Sequence, residues 1–160
     1  MTDGHIYTVA GNGSQFYSGD GGPVTNAELS TPEGVATDAA GNLLIADYDN
    51  SRVRVAAATT GTFYGKATTA GDTYTIAGNG GGTNLGGFSG DGGPATGAEL
   101  SFPSGVAATA AGNVVIADLG NNRIRMISEA IFDGHRLARE IDTEDPGQPA
   151  PYRREPVDLG

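Results

Sequence analysis

The chain has 160 residues, enough for about one domain, with 38% hydrophobic and 7% aromatic content. A formal net charge of −10 repels phosphate backbones and anionic headgroups, so nucleic acid and membrane surfaces are poor partners. There is no cysteine, which excludes disulfides, thiolate metal sites and a cysteine nucleophile.

Glycine is abundant at 27 residues while helix formers such as Lys and Met are scarce, a balance that favours short strands and many turns. No apolar run approaches the ~18 residues needed to span a bilayer. The opening stretch MTDGHIYTVAG has neither a basic start nor an apolar centre, so it does not read as a secretory signal. Localisation stays unknown from these features.

In chain order, the first apolar run is YTV within residues 6–9, followed by the Gly-rich segment AGNG and the loop SGDGGP from Ser18. GVATD (34–38), NLLIAD (42–47) and RVRVA (52–56) come next, and YTIAG (74–78) closes the set. The motif then restarts with GVAAT (105–109), NVVIAD (113–118) and RIRMI (123–127). The arginine runs alternate charged and apolar residues, the period-2 mark of a half-buried strand. LLIA and VVIA are continuously apolar, as in strands covered on both faces. AAGN between the first two runs of each set predicts a tight hairpin, as do DYDNS and DLGNN between the second and third.

Pro32 and Pro103, Asp47 and Asp118, and Arg52 and Arg123 each lie 71 residues apart (103 − 32 = 118 − 47 = 123 − 52 = 71). YTVAGNG and YTIAGNG lie 67 apart (74 − 7 = 67), because SQFY in the first copy becomes GGTNLGGF in the second. The repeat units fall around 18–77 and 89–127, inside a predicted domain of 1–128. Four antiparallel strands per unit, tied by short turns, describe one propeller blade. The expected class is therefore all-β: an incomplete β-propeller of about two blades, with the lone strand at 6–9 available to pair with the three trailing ones. An irregular, divergent tail is expected over 129–160. There GHRLAREI (134–141) predicts a short helix with Leu137 and Ile141 on one face, and EDPGQPAPYRREP an extended or disordered end.

PEGVATDAAGNLLIADYDNSRVRV and PSGVAATAAGNVVIADLGNNRIRM resemble NHL repeats, through their P-x-G-V-A, A-G-N, I-A-D and N-x-R-I/V-R elements. The preceding SGDGGPxT.AEL resembles the longer bacterial form. This resemblance implies a β-propeller, often of six blades, used as a binding scaffold and occasionally as a lyase or hydrolase. Thr109 stands where the first copy has Asp38, and the tail is unrelated. About two blades do not close a ring. Either the sequence is a fragment, or several chains complete the ring as a homo-oligomer.

Gly34 and Gly105 are expected to let the chain enter the first strand where a Cβ would clash. Asp47 and Asp118 are expected to accept backbone N–H groups of the following turn, with Arg52 and Arg123 as their ion-pair partners. Asp20 and Asp91, flanked by glycines, are the candidate ligands for Ca²⁺. The EF-hand pattern is absent, since Arg52 occupies the glycine position and Ala58 that of the bidentate glutamate. GNGGGTNLGG lacks the G-K-[ST] of a phosphate loop, and NGS at Asn12 matches only a short sequon. His5 and His135 lie outside both units, and no nucleophile elbow is present. The expectation is a non-catalytic scaffold, without cofactor beyond that Ca²⁺, meeting a protein or a small polar ligand on a blade face. Its alternative is part of a propeller lyase or hydrolase holding a divalent metal.

Overall fold

A computed structural model of the chain describes residues 2–81, 87–132 and 135–142, with side chains as far as Ser128. Its strands are β1 (Gly22–Pro23), β2 (Pro32–Thr37), β3 (Leu43–Asp47), β4 (Arg52–Ala56), β5 (Gly61–Phe63), β6 (Lys66–Thr68), β7 (Asp72–Ala77), β8 (Pro103–Ala108), β9 (Val114–Asp118), β10 (Arg123–Phe132) and β11 (His135–Asp142). They form one sheet in the order β1-β7-β4-β3-β2, a second in the order β11-β10-β9-β8, and the separate hairpin β5-β6. The strands of both large sheets that derive from the repeat are antiparallel neighbours in sequence order, as blades require.

The two blades repeat in detail. Pro32 pairs with Asp47 and Pro103 with Asp118, and each ladder then slips by one residue before Gly34 or Gly105. A proline donates no N–H to the ladder, so an irregularity at the strand's first residues is where it fits. Thr31 and Phe102 take positive φ just ahead of these prolines, and Ser51 and Asn122 do so in the hairpins before the arginine strands.

The core lies between the blades. The first sheet contributes Leu44, Val53, Val55 and Ile76, and the second Val114, Ile116 and Ile127, each no more than 2% exposed. Ala95 and Leu100, from the loop that precedes the second blade, enter the same cluster. Burying side chains of this size contributes about 1.5–3 kcal/mol apiece. The innermost strands β2 and β8 meet at Gly34, where an added Cβ would sit 2.7 Å from the Gly105 Cα and 2.7 Å from the Ser104 carbonyl oxygen. Gly34 is therefore required for the blades' approach to one another, a stronger reason than entry into the strand.

Two expectations are corrected here. Residues 6–9 form no strand: their β7 counterpart pairs with β4, whereas among the described residues no strand pairs with Tyr7–Val9, and Ile6 is 98% exposed. Backbone polar groups in an extended run gain a ladder only from a neighbour. The helix expected at 134–141 is instead strand β11, paired with β10 from Arg125↔Asp142 to Phe132↔His135. The second sheet thus reaches Asp142, beyond the boundary set at 128, and β11 fills the fourth place assigned to the leading strand. β10 would otherwise present an open row of N–H and C=O groups, which a neighbouring segment satisfies. Residues 143–160, where the extended end was expected, lie outside the described residues.

Candidate functional site

The polar residues of each repeat converge on one buried arginine. Arg54 is fully buried on the face of the first sheet turned away from the second. Its two terminal nitrogens donate to the Glu28 carbonyl at 2.9 Å, the Ser18 carbonyl at 2.9 Å and Asp20 Oδ1 at 2.8 Å, with Asp47 Oδ2 at 3.7 Å. Arg125 repeats the arrangement with the Glu99 carbonyl at 2.7 Å, the Ser89 carbonyl at 3.1 Å, Asp91 Oδ1 at 2.5 Å and Asp118 Oδ2 at 3.6 Å. The planar fork of the guanidinium suits several fixed oxygens at once, which a lysine's single ammonium does not.

The expected ion-pair partner is therefore displaced by two residues. Arg52 and Arg54 share a face of β4, but Arg52 stands at the strand's end. There it donates to the Asn50 and Asn79 carbonyls and lies over the Tyr17 ring at 3.6 Å. Arg123 does the same with the Asn121 carbonyl and the Phe88 ring, at 3.7 Å. Asp47 accepts the Ser30 N–H at 2.7 Å and the Asn50 amide at 2.9 Å, so it binds the loop before its blade and a side chain, rather than backbone, of the turn after it. Asp118 takes Ser101 N–H and the Asn121 amide in the same way.

Asp20 and Asp91, singled out for Ca²⁺, act as counter-ions of the buried arginines. Asp20 Oδ2 also accepts from the Tyr17 hydroxyl at 2.9 Å and the Thr75 N–H at 3.0 Å. Among the described residues, no group of three or more His, Asp or Glu side chains is placed to hold a metal. Burial favours the neutral form of Asp20, but bonds from Thr75, the Arg54 charge and Tyr17 outweigh it and hold the carboxyl below its usual range. For Asp47 burial prevails over Asn50, Ser30 and the arginines, and its carboxyl is pushed up. Asp38, at the opposite end of the blade, is lowered despite burial by Tyr64 and Asn42. It accepts from the Tyr64 hydroxyl at 2.7 Å, the Asn42 amide at 2.8 Å and the N–H groups of Ala40 and Asn42. Thr109, its counterpart, accepts the Asn113 N–H on its hydroxyl at 3.1 Å.

Among the described residues, two surfaces could meet a ligand. One is the rim at the Asp47 and Asp118 ends of the blades, where Phe16 (71% exposed), Tyr17, Phe88 and Leu119 stand beside Arg52 and Arg123. The other is a cavity of about 610 Å³ between Tyr7–Val9 and the first sheet, walled by Leu43, Ala56, Ala57 and Gly41. The aromatic residues of the rim escaped the sequence reading, although Tyr17 and Phe88 are themselves 71 residues apart (88 − 17 = 71).

The family model of the teneurin NHL domain matches residues 40–128, more than half of the chain. A crystal structure of an auxiliary nutrient binding protein from Bacteroides thetaiotaomicron is similar with a TM-score of 0.53 at 22% identity, over 76% of this chain and 28% of that one. Another from Bacteroides ovatus gives 0.48 at 22% identity, over 71% and 26%. A 41-residue stretch is 56% identical to part of a dimethylamine dehydrogenase from Hyphomicrobium, covering 26% of this chain and 5% of the enzyme. The chain spans less than a third of the length of each of these three proteins.

Proposed function

The chain belongs to the teneurin NHL-domain family, and we propose that it is a non-catalytic binding scaffold whose blade rim meets a protein or a small polar ligand. The observation that carries this reading is where the repeat's charged groups point. Asp47, Arg54 and their second-blade counterparts are buried, the arginines bond backbone carbonyls, and Asp20 and Asp91 at the surface bond to those arginines. Groups spent on holding loops are poor acids or bases for a substrate. The exposed rim carries rings and guanidinium planes instead, which suit stacking and hydrogen bonding to a polar partner. The description of the similar Bacteroides thetaiotaomicron protein as nutrient binding agrees with a ligand-binding role.

The test is thermal unfolding of the chain against a panel of short peptides and oligosaccharides, with divalent metal content measured on the same preparation. A ligand that raises Tm for the wild type and loses its effect in Phe88→Ala supports the rim. A stoichiometric divalent metal whose removal lowers Tm, together with hydrolytic or lyase turnover, would replace the scaffold with an enzyme.

A further inference from the structure

We propose that Asn79 is a self-modification site: in the folded chain its side-chain amide is converted to an aspartyl or isoaspartyl carboxylate ahead of the matching Asn12, and the conversion unfastens the joint between the two blades. The sequence holds two Asn-Gly dipeptides, Asn12-Gly13 and Asn79-Gly80, one in each AGNG segment. In both, the asparagine N–H donates into the loop that follows, to the Ala27 or the Ala98 carbonyl at 2.9 Å. Both glycines take positive φ, 91° at Gly13 and 77° at Gly80, a conformation that strains any side chain. The fold thus keeps glycine after each asparagine, which leaves the following amide nitrogen unshielded. Asn79 and Gly80 are exposed to water.

The reaction is a net hydrolysis. The Gly80 amide gives its proton to solvent base, and its nitrogen attacks Asn79 Cγ. A C–N bond forms and the charge passes to Oδ1. The Cγ–Nδ2 bond then breaks, and Nδ2 takes a proton from water and leaves as ammonia. Water opens the succinimide ring at Cγ to give aspartate, or at the main-chain carbonyl to give isoaspartate. Nothing is oxidised or reduced.

Three contacts at Asn79 serve these steps. The Gly81 N–H donates to Oδ1 at 2.7 Å, where the charge gathers. Arg52 Nη2 donates to the Asn79 carbonyl at 2.9 Å, so a guanidinium draws electrons from the peptide whose nitrogen must ionise. Nδ2 is held to the Gly97 carbonyl by a long bond of 3.3 Å, which keeps the leaving nitrogen loosely. Asn12 shares the first contact, from the Ser14 N–H at 2.8 Å, and holds its own Nδ2 closer, at 3.1 Å from the Asn26 carbonyl. The cation separates the two sites. An added Cβ at Gly80 would lie 2.1 Å from Arg52 Nη1, whereas one at Gly13 would meet nothing within 4 Å. Each pKa unit taken off the Gly80 amide makes the reacting anion about tenfold more abundant, so the expected lead of Asn79 is about three- to tenfold.

The product no longer fits the joint. A carboxylate has no proton for the Gly97 carbonyl. It also joins Glu99: an added Cβ at Gly81 would stand 3.0 Å from Asn79 Oδ1 and 3.6 Å from Glu99 Oε1, so two like charges would share that place. Isoaspartate further lengthens the main chain by one carbon and takes the carbonyl off Arg52.

To test this, the full 160-residue chain is held in mildly alkaline buffer, with and without denaturing urea, and sampled over time. Trypsin places Asn12 in peptide 1–52 and Asn79 in peptide 67–123, so mass spectrometry follows each conversion separately. In the folded chain Asn79 should lead Asn12 by about three- to tenfold, and in urea the two rates should agree within about twofold. Arg52→Met should abolish the lead where circular dichroism shows the fold retained; where it is not retained, the wild-type comparison decides alone. Equal rates in the folded chain overturn the inference, and so does a lead that persists in urea or in folded Arg52→Met. Asn79→Asp reproduces one product and should lower the urea midpoint, and an unchanged midpoint overturns the unfastening.

Discussion

Gly34→Ala isolates the contact between the blades. In the native backbone the new methyl would lie 2.7 Å from the Gly105 Cα, 2.7 Å from the Ser104 carbonyl oxygen and 3.3 Å from the Val106 N. Carbon atoms attract best at about 3.5–4.0 Å, so two of these distances are deep in repulsion. All three neighbours are backbone, and no side chain can rotate to make room. The inner strands must separate by roughly 1 Å, loosening a core in which Leu44, Val53, Val114 and Ile116 are at most 2% exposed. Overpacking of a well-filled interior costs about 1–3 kcal/mol, and a backbone clash belongs at the upper end. We therefore expect Gly34→Ala to lower the unfolding free energy by about 2–3 kcal/mol, read from urea titration of dilute protein. Gly105→Ala is the matched control: its methyl makes one ordinary contact, so it should lie within about 0.5 kcal/mol of wild type or gain slightly from the stiffer unfolded chain. Equal effects of the two substitutions would refute the asymmetry of the inner strands.

Arg54→Met should cost about 3–5 kcal/mol, because it strands the buried Asp47 carboxylate and leaves the Glu28 and Ser18 carbonyls without their donor. Adding Asp47→Asn should restore part of that loss in the same urea assay, and a loss under 1 kcal/mol for the single variant would show that the network does not hold the loop. Asp38 has a folded-state pKa below its unfolded value, so its contribution is complete above about pH 4 and disappears as pH falls through the folded value. Asp38→Asn should thus be less stable than wild type near pH 7 by about 1–2 kcal/mol, through weaker bonds to Tyr64 and the hairpin amides. The difference should close below pH 4 in unfolding midpoints taken from pH 2.5 to 7; a constant gap would contradict it. Asp47, with its raised value, acts in the opposite sense, favouring the fold at low pH and losing that contribution as pH rises through its folded value.

Much of the fold was legible because the chain states it twice. The alternation in RVRVA and the continuous LLIA and VVIA runs place β3, β4, β9 and β10 at their observed positions, and the NHL resemblance holds at the level of family. The tail was misread for a definite reason. Leu137 and Ile141 are four residues apart, a spacing that suits both a helical turn and two steps of a strand. The better signal was the sequence Asp133-Gly134, a dipeptide favoured in two-residue hairpins. YTV at 6–9 shows the converse, since a strand pattern needs a neighbour that composition does not supply. Arg52 and Arg54 could not be ranked from spacing, because they share a face and what separates them is Tyr17, distant along the chain. The candidate rim was missed because its rings stand in Gly-rich loops outside any strand pattern, although Tyr17 and Phe88 keep the 71-residue offset.

The AGNG segments fasten each unit to the loop that heads the next. Gly11 and Asn12 donate their N–H groups to the Val24 and Ala27 carbonyls at 3.0 and 2.9 Å, and Gly78 and Asn79 to those of Ala95 and Ala98 at 3.0 and 2.9 Å. Each AGNG segment is thus a plug and the loop after it a socket, and the two joints have the same pattern of bonds. Recombination that adds or deletes a 71-residue period leaves no mismatched seam, so gene duplication can alter the number of blades without inventing a new joint.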